Sequence, residues 1–250
     1  MTANNKQTNP IKEIAGRLFA AWAIIIFVVT MLPVFLLIWM IGLVKEPRRM
    51  VFFRMITIAW MRVFFFLTFC RLKITGKEHF KRGQNYIIIS NHNSMMDVAI
   101  LTPFIPGANK TIAKIEMART PLFGLIYKRG AVLVDRKNKA SRGESYNKMK
   151  AVLEMGIHMC IYPEGTRNKT SEPLKDFHDG AFRLAIDTRK PIMPGILFNT
   201  KKVMPSDKTF FLWPGPMELR FLAPRIIKEG DTAEGLKREL FERMKEAYKS

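Results

Sequence analysis

The sequence predicts an α/β fold: a mostly parallel sheet flanked by helices, with an N-terminal membrane-associated helical segment in front of it. Three observations carry that expectation. Much of the chain's apolar content sits before residue 71. After it, short apolar runs alternate with longer helical stretches, as when helices cover a largely parallel sheet. Polar clusters able to do chemistry directly follow those runs, where ligands gather in open α/β sheets. With 250 residues there is room for one full domain and a membrane segment, not for two large domains. We divide the chain into a tail with membrane-associated helices (1–70) and a second domain (71–250).

No charged residue occurs between Arg17 and Lys45, a run longer than the roughly 20 residues that a helix needs to cross a bilayer core. It is too long for a secretory signal and no small-x-small cleavage site follows, so the segment is expected to be retained. Pro33 predicts a kink, or the end of a first helical half. After the charged break from Lys45 to Arg49, a second apolar stretch runs from Met50 to Cys70. It carries Arg54 and Arg62 near one helical face, costly at the bilayer centre but tolerable at its surface, and reads as an interfacial helix. A two-span hairpin would put Lys45, Arg48 and Arg49 on the outer side, against the positive-inside tendency. A shallow hairpin in the cytoplasmic leaflet is therefore favoured over a true span, with residue Met31 as the place to probe it.

In the second domain, Tyr86–Ile89 reads as a strand buried on both faces. Ala131–Val134 and Ile157–Tyr162 are two more strands, and Pro191–Pro194 opens a fourth that continues through Gly195–Phe198. Helices are expected at about Met95–Thr102, Arg142–Met155 and Gly180–Thr188. Asp231 and Glu234, spaced as in a capping box, mark a last helix whose Leu236, Leu240 and Met244 make one packing stripe.

The net charge is +20, which favours anionic partners: nucleic acid, phospholipid headgroups or phosphate-bearing substrates. The neighbouring apolar segment turns the balance toward a membrane surface, where each cation near anionic lipid contributes about 1 kcal/mol. Nucleic-acid binding predicts cations interleaved with aromatics along one element, whereas the aromatics here concentrate in the N-terminal part. Cys70 and Cys160 have no metal-ligand spacing and imply neither zinc nor a disulfide framework.

Three clusters carry candidate chemistry. In Ser90–Asp97, His92 and Asp97 can meet if the histidine precedes a helix and the aspartate lies on its second turn. The carboxylate then fixes the imidazole tautomer and leaves the other nitrogen free as a base. That is a hydrolase triad without its serine, so a substrate hydroxyl can take the nucleophile's place and make the reaction a transfer. The spacing alone fits equally well a capping residue beside an unrelated His and Asp. In Tyr162–Arg167, Gly165 permits close backbone approach, and Thr166 and Arg167 offer donors to a phosphate. An ordinary turn with an exposed arginine is the plainer reading of that piece by itself. Between Gly130 and Arg136, flanked by Lys128, Arg129 and Lys137, Arg136 at a strand end is the cation most suited to grip a phosphate.

Taken together, these residues resemble the glycerolipid acyltransferase family, most closely its bacterial 1-acyl-sn-glycerol-3-phosphate acyltransferases, over about residues 75–220. Asn91-His92 with Asp97 matches the family's Asn-His-x-x-x-x-Asp block. Glu164-Gly165-Thr166-Arg167 matches the third block letter for letter, and Pro191–Pro194 is similar to the fourth. Gly130–Arg136 resembles the second block, but has Leu133 or Val134 where an aromatic residue is usual. The resemblance implies acyl transfer from acyl-CoA or acyl-carrier protein to the sn-2 hydroxyl of a lysophosphatidate, giving phosphatidic acid; the alternatives are the same transfer to glycerol 3-phosphate, another lysophospholipid or an aminoacyl lipid, and a non-catalytic membrane protein that binds anionic lipid. It makes His92 and Asp97 catalytic and assigns the acceptor's phosphate to Arg136, Glu164, Gly165, Thr166 and Arg167, with Glu164 positioning the arginine or the loop. It implies no metal or cofactor beyond the acyl donor, a membrane-lipid environment, and a location on the cytoplasmic face of the inner membrane.

Overall fold

Ile87, Ile88 and Ile89 are each fully buried, which demands cover on both faces of their strand and seats it in the middle of a sheet. The computed structural model, which describes residues 9–135 and 137–249, has that arrangement. In chain order its α-helices and strands are α1 (Pro10–Met40), α2 (Arg48–Leu67), β1 (Arg71–Thr75), β2 (Ile87–Ser90), α3 (Met96–Phe104), β3 (Asn109–Lys114), α4 (Phe123–Gly130), β4 (Ala131–Val134), α5 (Lys139–Glu154), β5 (His158–Ile161), α6 (Gly180–Thr188), β6 (Ile192–Phe198), α7 (Thr200–Val203), β7 (Pro216–Phe221) and α8 (Ala233–Lys249). The sheet has seven strands in the order β1-β7-β6-β2-β5-β3-β4. Every neighbouring pair is parallel except β6 and β7, as the expected mostly parallel sheet requires.

Three strands were not anticipated, for a common reason. The sequence reading looked for unbroken apolar runs, which mark strands covered on both faces. β1 and β7 instead alternate polar and apolar residues toward one edge of the sheet, and β3 shows the same alternation of buried and partly exposed positions. The register aligns Ile89 with Ile161 on one side and Ser90 with Gly195 on the other. The C-terminal ends of β2 and β5 are therefore level, β6 runs on beside them to Phe198, and the loops that leave these strands share one rim.

The N-terminal segment forms a hairpin of two apolar helices, as expected, packed against the rest of the chain. α1 is one helix that continues through Pro33 without ending there. α2 is tied to the second domain: the Arg54 side chain bonds the carbonyl of Ile105, Phe65 stacks on Phe104, and Phe53 lies against Gly130. The two helices are antiparallel partners. Trp22 Nε1 donates to the Leu67 carbonyl and Trp60 Nε1 to Thr30 Oγ1, both at 2.9 Å.

The hairpin also lies along the domain for its whole length. At its turn, Glu46 pairs with Lys110 at 2.6 Å, and Gly42 lies against the Arg129 guanidinium. Midway, Phe27 and Trp60 pack edge-on to Phe123. At the far end, Leu212 N donates to the Gly16 carbonyl, Phe19 meets Trp213, and Glu13 pairs with Lys208. The outward faces stay uncovered: Leu32, Leu36, Trp39 and Phe66 are among the large apolar side chains left exposed. Met31, chosen from sequence as a probe site, is buried instead.

At the other end of the chain, Leu236, Leu240 and Met244 bury the predicted stripe of α8. The cap is shifted by one residue from the expected Asp231. Thr232 Oγ1 accepts from Gly235 N at 3.1 Å, because the Asp231 carboxylate is taken by the Arg225 guanidinium and the Lys228 N–H.

Candidate active site

The rim at the end of β2 is built by Asn91 before any catalytic group enters. Its side chain is buried and makes two bonds to one residue of β6: Nδ2 donates to the Leu197 carbonyl at 2.9 Å, and Oδ1 accepts from Leu197 N at 2.8 Å. This amide zips β2 to β6 just where the strand stops, so His92 leaves the sheet at a fixed angle.

Asp97 is fully buried at the start of α3, on its first turn and not on the second. Its Oδ2 accepts three hydrogen bonds, from Asn93 N at 2.5 Å, Ser94 N at 2.7 Å and His92 Nδ1 at 2.9 Å. Two backbone donors hold the carboxylate in place, and the imidazole is the third partner. With Nδ1–H donated to Asp97, the Nε2 lone pair is left as an acceptor with no hydrogen-bond partner among the described residues. Tyr162 stacks on the ring at 4.2 Å between centroids, 22° from parallel, and fixes its plane.

Among the described residues, no side-chain nucleophile accompanies this pair. Ser94 Oγ donates to the Met204 carbonyl at 2.6 Å and accepts from Met96 N, so it serves the start of α3. Cys160 is buried, which pushes its thiol far above the ordinary range. His158 is occupied elsewhere. Its Nδ1 accepts from Tyr86 N and its Nε2–H donates to Pro106 O, with burial lowering its pKa to about 4. It is a neutral structural histidine inside the sheet.

The loop after β5 crosses directly behind His92. Gly165 takes a left-handed conformation, φ +71°, which closes a turn from Tyr162. Glu164 is fully buried, and its Oε1 accepts from the His92 backbone N–H at 3.0 Å. Burial raises its pKa to about 8, against the opposing pull of that N–H. The carboxyl thus ties the loop to the main chain of His92 and is not presented to solvent. Thr166 and Arg167 are exposed on the same turn, and Lys175 Nζ donates to Thr166 Oγ1 at 3.1 Å. Arg167 makes no side-chain hydrogen bond or ion pair with any described residue.

Arg136 lies outside the described residues. Lys128 and Arg129 precede β4, so they sit at the opposite edge of the sheet from the rim, and Arg129 turns toward the hairpin. Pro191–Pro194, the fourth cluster, runs into the sheet interior beside β2. Among the described residues, no group of three His, Cys, Asp or Glu side chains is arranged to hold a metal ion.

Residues 71–197 match the family model described as Acyltransferase. The chain belongs to the acyltransferase family.

Curated relatives agree with that placement. The chain is 30% identical over 167 residues to 1-acyl-sn-glycerol-3-phosphate acyltransferase alpha of Mus musculus, covering 65% of this chain and 57% of the relative. It is 34% identical over 154 residues to the 1-acyl-sn-glycerol-3-phosphate acyltransferase of Cocos nucifera, covering 59% and 47%. The chain thus spans about half the length of the curated relatives it matches. In fold, it is similar to the crystal structure of the 1-acyl-sn-glycerophosphate (LPA) acyltransferase PlsC from Thermotoga maritima. That TM-score is 0.81 at 20% identity, over 94% of this chain and 95% of the other.

Two contributors to the acyltransferase site escaped the sequence reading. Asn168 is buried, and its N–H donates to the His92 carbonyl at 2.6 Å. Lys175 approaches Thr166 from nine residues away. An Asn directly after the third block was the available signal for the first. Nothing local marks the second among the chain's many lysines.

Proposed function

We propose that this acyltransferase moves a fatty acyl group from acyl-CoA or acyl-carrier protein to the sn-2 hydroxyl of 1-acyl-glycerol-3-phosphate, giving phosphatidic acid. One observation carries the chemistry: an imidazole oriented by a buried carboxylate, with its second nitrogen free and, among the described residues, no protein nucleophile beside it. Such a pair must act on a hydroxyl that a substrate brings. The names of the relatives, and the phosphate-suited donors Thr166 and Arg167 on the neighbouring loop, point to a phosphorylated glycerol lipid as that substrate.

In this mechanism His92 Nε2 takes the proton of the acceptor hydroxyl as its oxygen attacks the thioester carbonyl. Asp97 stabilises the resulting imidazolium across the 2.9 Å bond to Nδ1. The tetrahedral intermediate collapses with cleavage of the carbon–sulfur bond, and the departing thiolate takes the proton back from Nε2. Arg167 and Thr166, with Arg136, hold the acceptor's phosphate as an ion pair with hydrogen bonds. Glu164 and Gly165 shape the turn that presents them.

The acyltransferase works at a membrane surface. Among the described residues two helices are long and apolar enough to cross a membrane, Pro10–Leu43 and Arg48–Leu67, and the tethering of their hairpin at both ends supports a shallow seat in the cytoplasmic leaflet over a span. We assign the catalytic rim to the cytoplasmic face of the inner membrane.

The deciding assay supplies purified protein with lysophosphatidate and acyl-CoA, then acyl-carrier protein as donor, and follows the product by mass. Phosphatidic acid is expected, with glycerol 3-phosphate and other lysophospholipids as poorer acceptors. His92→Ala should lower kcat by about 10²–10⁴-fold, whereas Arg167→Ala should mainly raise KM for the phosphorylated acceptor. A His92→Ala protein with normal turnover would remove the base from this scheme.

A further inference from the structure

One loop grips the His92 peptide from both sides. Its N–H donates to Glu164 Oε1 at 3.0 Å, and its carbonyl accepts from the Asn168 N–H at 2.6 Å. Between those two anchors stand Gly165, Thr166 and Arg167. The anchors are buried, at 0% and 1% exposure, while Thr166 and Arg167 face solvent. There is little slack between the buried and exposed parts. Thr166 N closes on the Glu164 carbonyl at 2.8 Å, and Gly165 N on that of Tyr162 at 3.0 Å. Beyond the second anchor, the Asn168 side chain locks the outgoing chain: Nδ2 donates to Glu172 O at 2.9 Å, and Oδ1 accepts from Thr170 N and Thr170 Oγ1.

An exposed turn with a cationic tip is thereby joined at both ends to the main chain of the candidate base. Resting on the acyltransferase reading above, we propose that this loop is a coupling strap. A phosphate dianion seated on Thr166 and Arg167 orders residues 164–168 and fixes the His92 peptide in its working position. The acceptor's phosphate is then an activator as well as an anchor. Its binding energy, released away from the reacting oxygen, is used to set the base, which raises kcat and not only affinity. Glu164 and Asn168 are positioning residues in this scheme. They act through the main chain of His92 and touch neither substrate.

The coupling can be separated from simple anchoring by cutting the acceptor in two. 1-Monoacylglycerol offers the same hydroxyl without the phosphate, and phosphite dianion supplies the missing anion as an unconsumed partner. Phosphite should accelerate acyl transfer to 1-monoacylglycerol by at least about 10-fold in the unaltered protein, through binding energy that acts only on the reacting state. Glu164→Gln, which keeps an oxygen acceptor for the His92 N–H, should retain the acceleration. Glu164→Ala and Arg167→Ala should lose it. If lysophosphatidate is turned over but phosphite leaves the monoacylglycerol rate unchanged, the coupling is overturned and the acceptor assignment stands.

If lysophosphatidate is not turned over, the acceptor assignment fails, and the strap is judged without activity. The chain has four histidines, so a protein labelled with ¹⁵N-histidine gives few backbone amide signals, and His92→Asn identifies the one that matters. Phosphite should move the His92 amide signal in the unaltered protein and leave it in place in Arg167→Ala. A His92 signal indifferent to phosphite overturns the proposal on its own.

Discussion

Asp97 Oδ2 receives two backbone N–H groups before it receives the imidazole, so the carboxylate is oriented whether or not the histidine is present. This explains why the pair was half legible in sequence. A His and an Asp five residues apart at the start of a helix announce that they can meet, but not that a tight turn makes them do so. Asn168 was harder to see, since its contribution is a main-chain donor that any residue type could supply. Glu164 gives a test at this scale. Its folded pKa is raised to about 8, from an unfolded value near 4.5, chiefly by burial. Between those values the folded protein holds a proton that the unfolded chain has released. The associated stability is fully present below about pH 4.5 and is lost as pH rises to about 8. The melting temperature should therefore fall across that window, and Glu164→Gln, which cannot titrate, should flatten the decline. An identical pH profile in both proteins would mean that Glu164 is ionised in the fold.

At the scale of elements, the strands found from sequence are those that read as nearly unbroken buried runs, β2, β4, β5 and β6. β3 lies inside the sheet between β5 and β4 but alternates buried and partly exposed residues, so it carries no such run. β1 and β7 have mixed sequences, because their stability comes from pairing with each other at one side of the sheet. That pairing depends on Gly76, just past β1. It has φ +78°, and a Cβ there would overlap the carbonyl oxygen of Phe221 at the end of β7. Neither the backbone conformation nor the obstructing main chain can relax cheaply. Gly76→Ala is expected to destabilise the protein by about 1–3 kcal/mol, read as an earlier midpoint in denaturant. Gly83→Ala, which has a similar φ but open space around it, should cost less. Equal losses in the two would assign the whole effect to backbone conformation and none to the contact between strands.

For the whole molecule, the apolar N-terminal helices were legible from their missing charges, but their packing against the rest of the chain was not. No local pattern says that Glu46 will reach Lys110, or that Gly16 will meet the loop before β7; such contacts join residues far apart in the chain. They also redefine the probe for membrane depth. Met31 is covered, whereas Leu36 on the outward face of α1 is exposed. Leu36→Cys should be shielded by lipid and resist a membrane-impermeant thiol reagent applied from outside intact cells. It should react once the protein is stripped into a mild detergent. Cys70 and Cys160 are buried and should stay silent in both conditions. Labelling of Leu36→Cys from outside would mean that the hairpin crosses the bilayer.

A keel moored at stem and stern cannot swing. Because the hairpin is fastened to the rest of the chain at its turn and again near Gly16, the shallow seat proposed above would keep the rim at one height and one heading over the lipid, serving only the monolayer in which the keel floats. The proposed diacyl product would then be laid down on that side alone. Even growth of the two monolayers then has to be handled by a separate machine that carries lipid across.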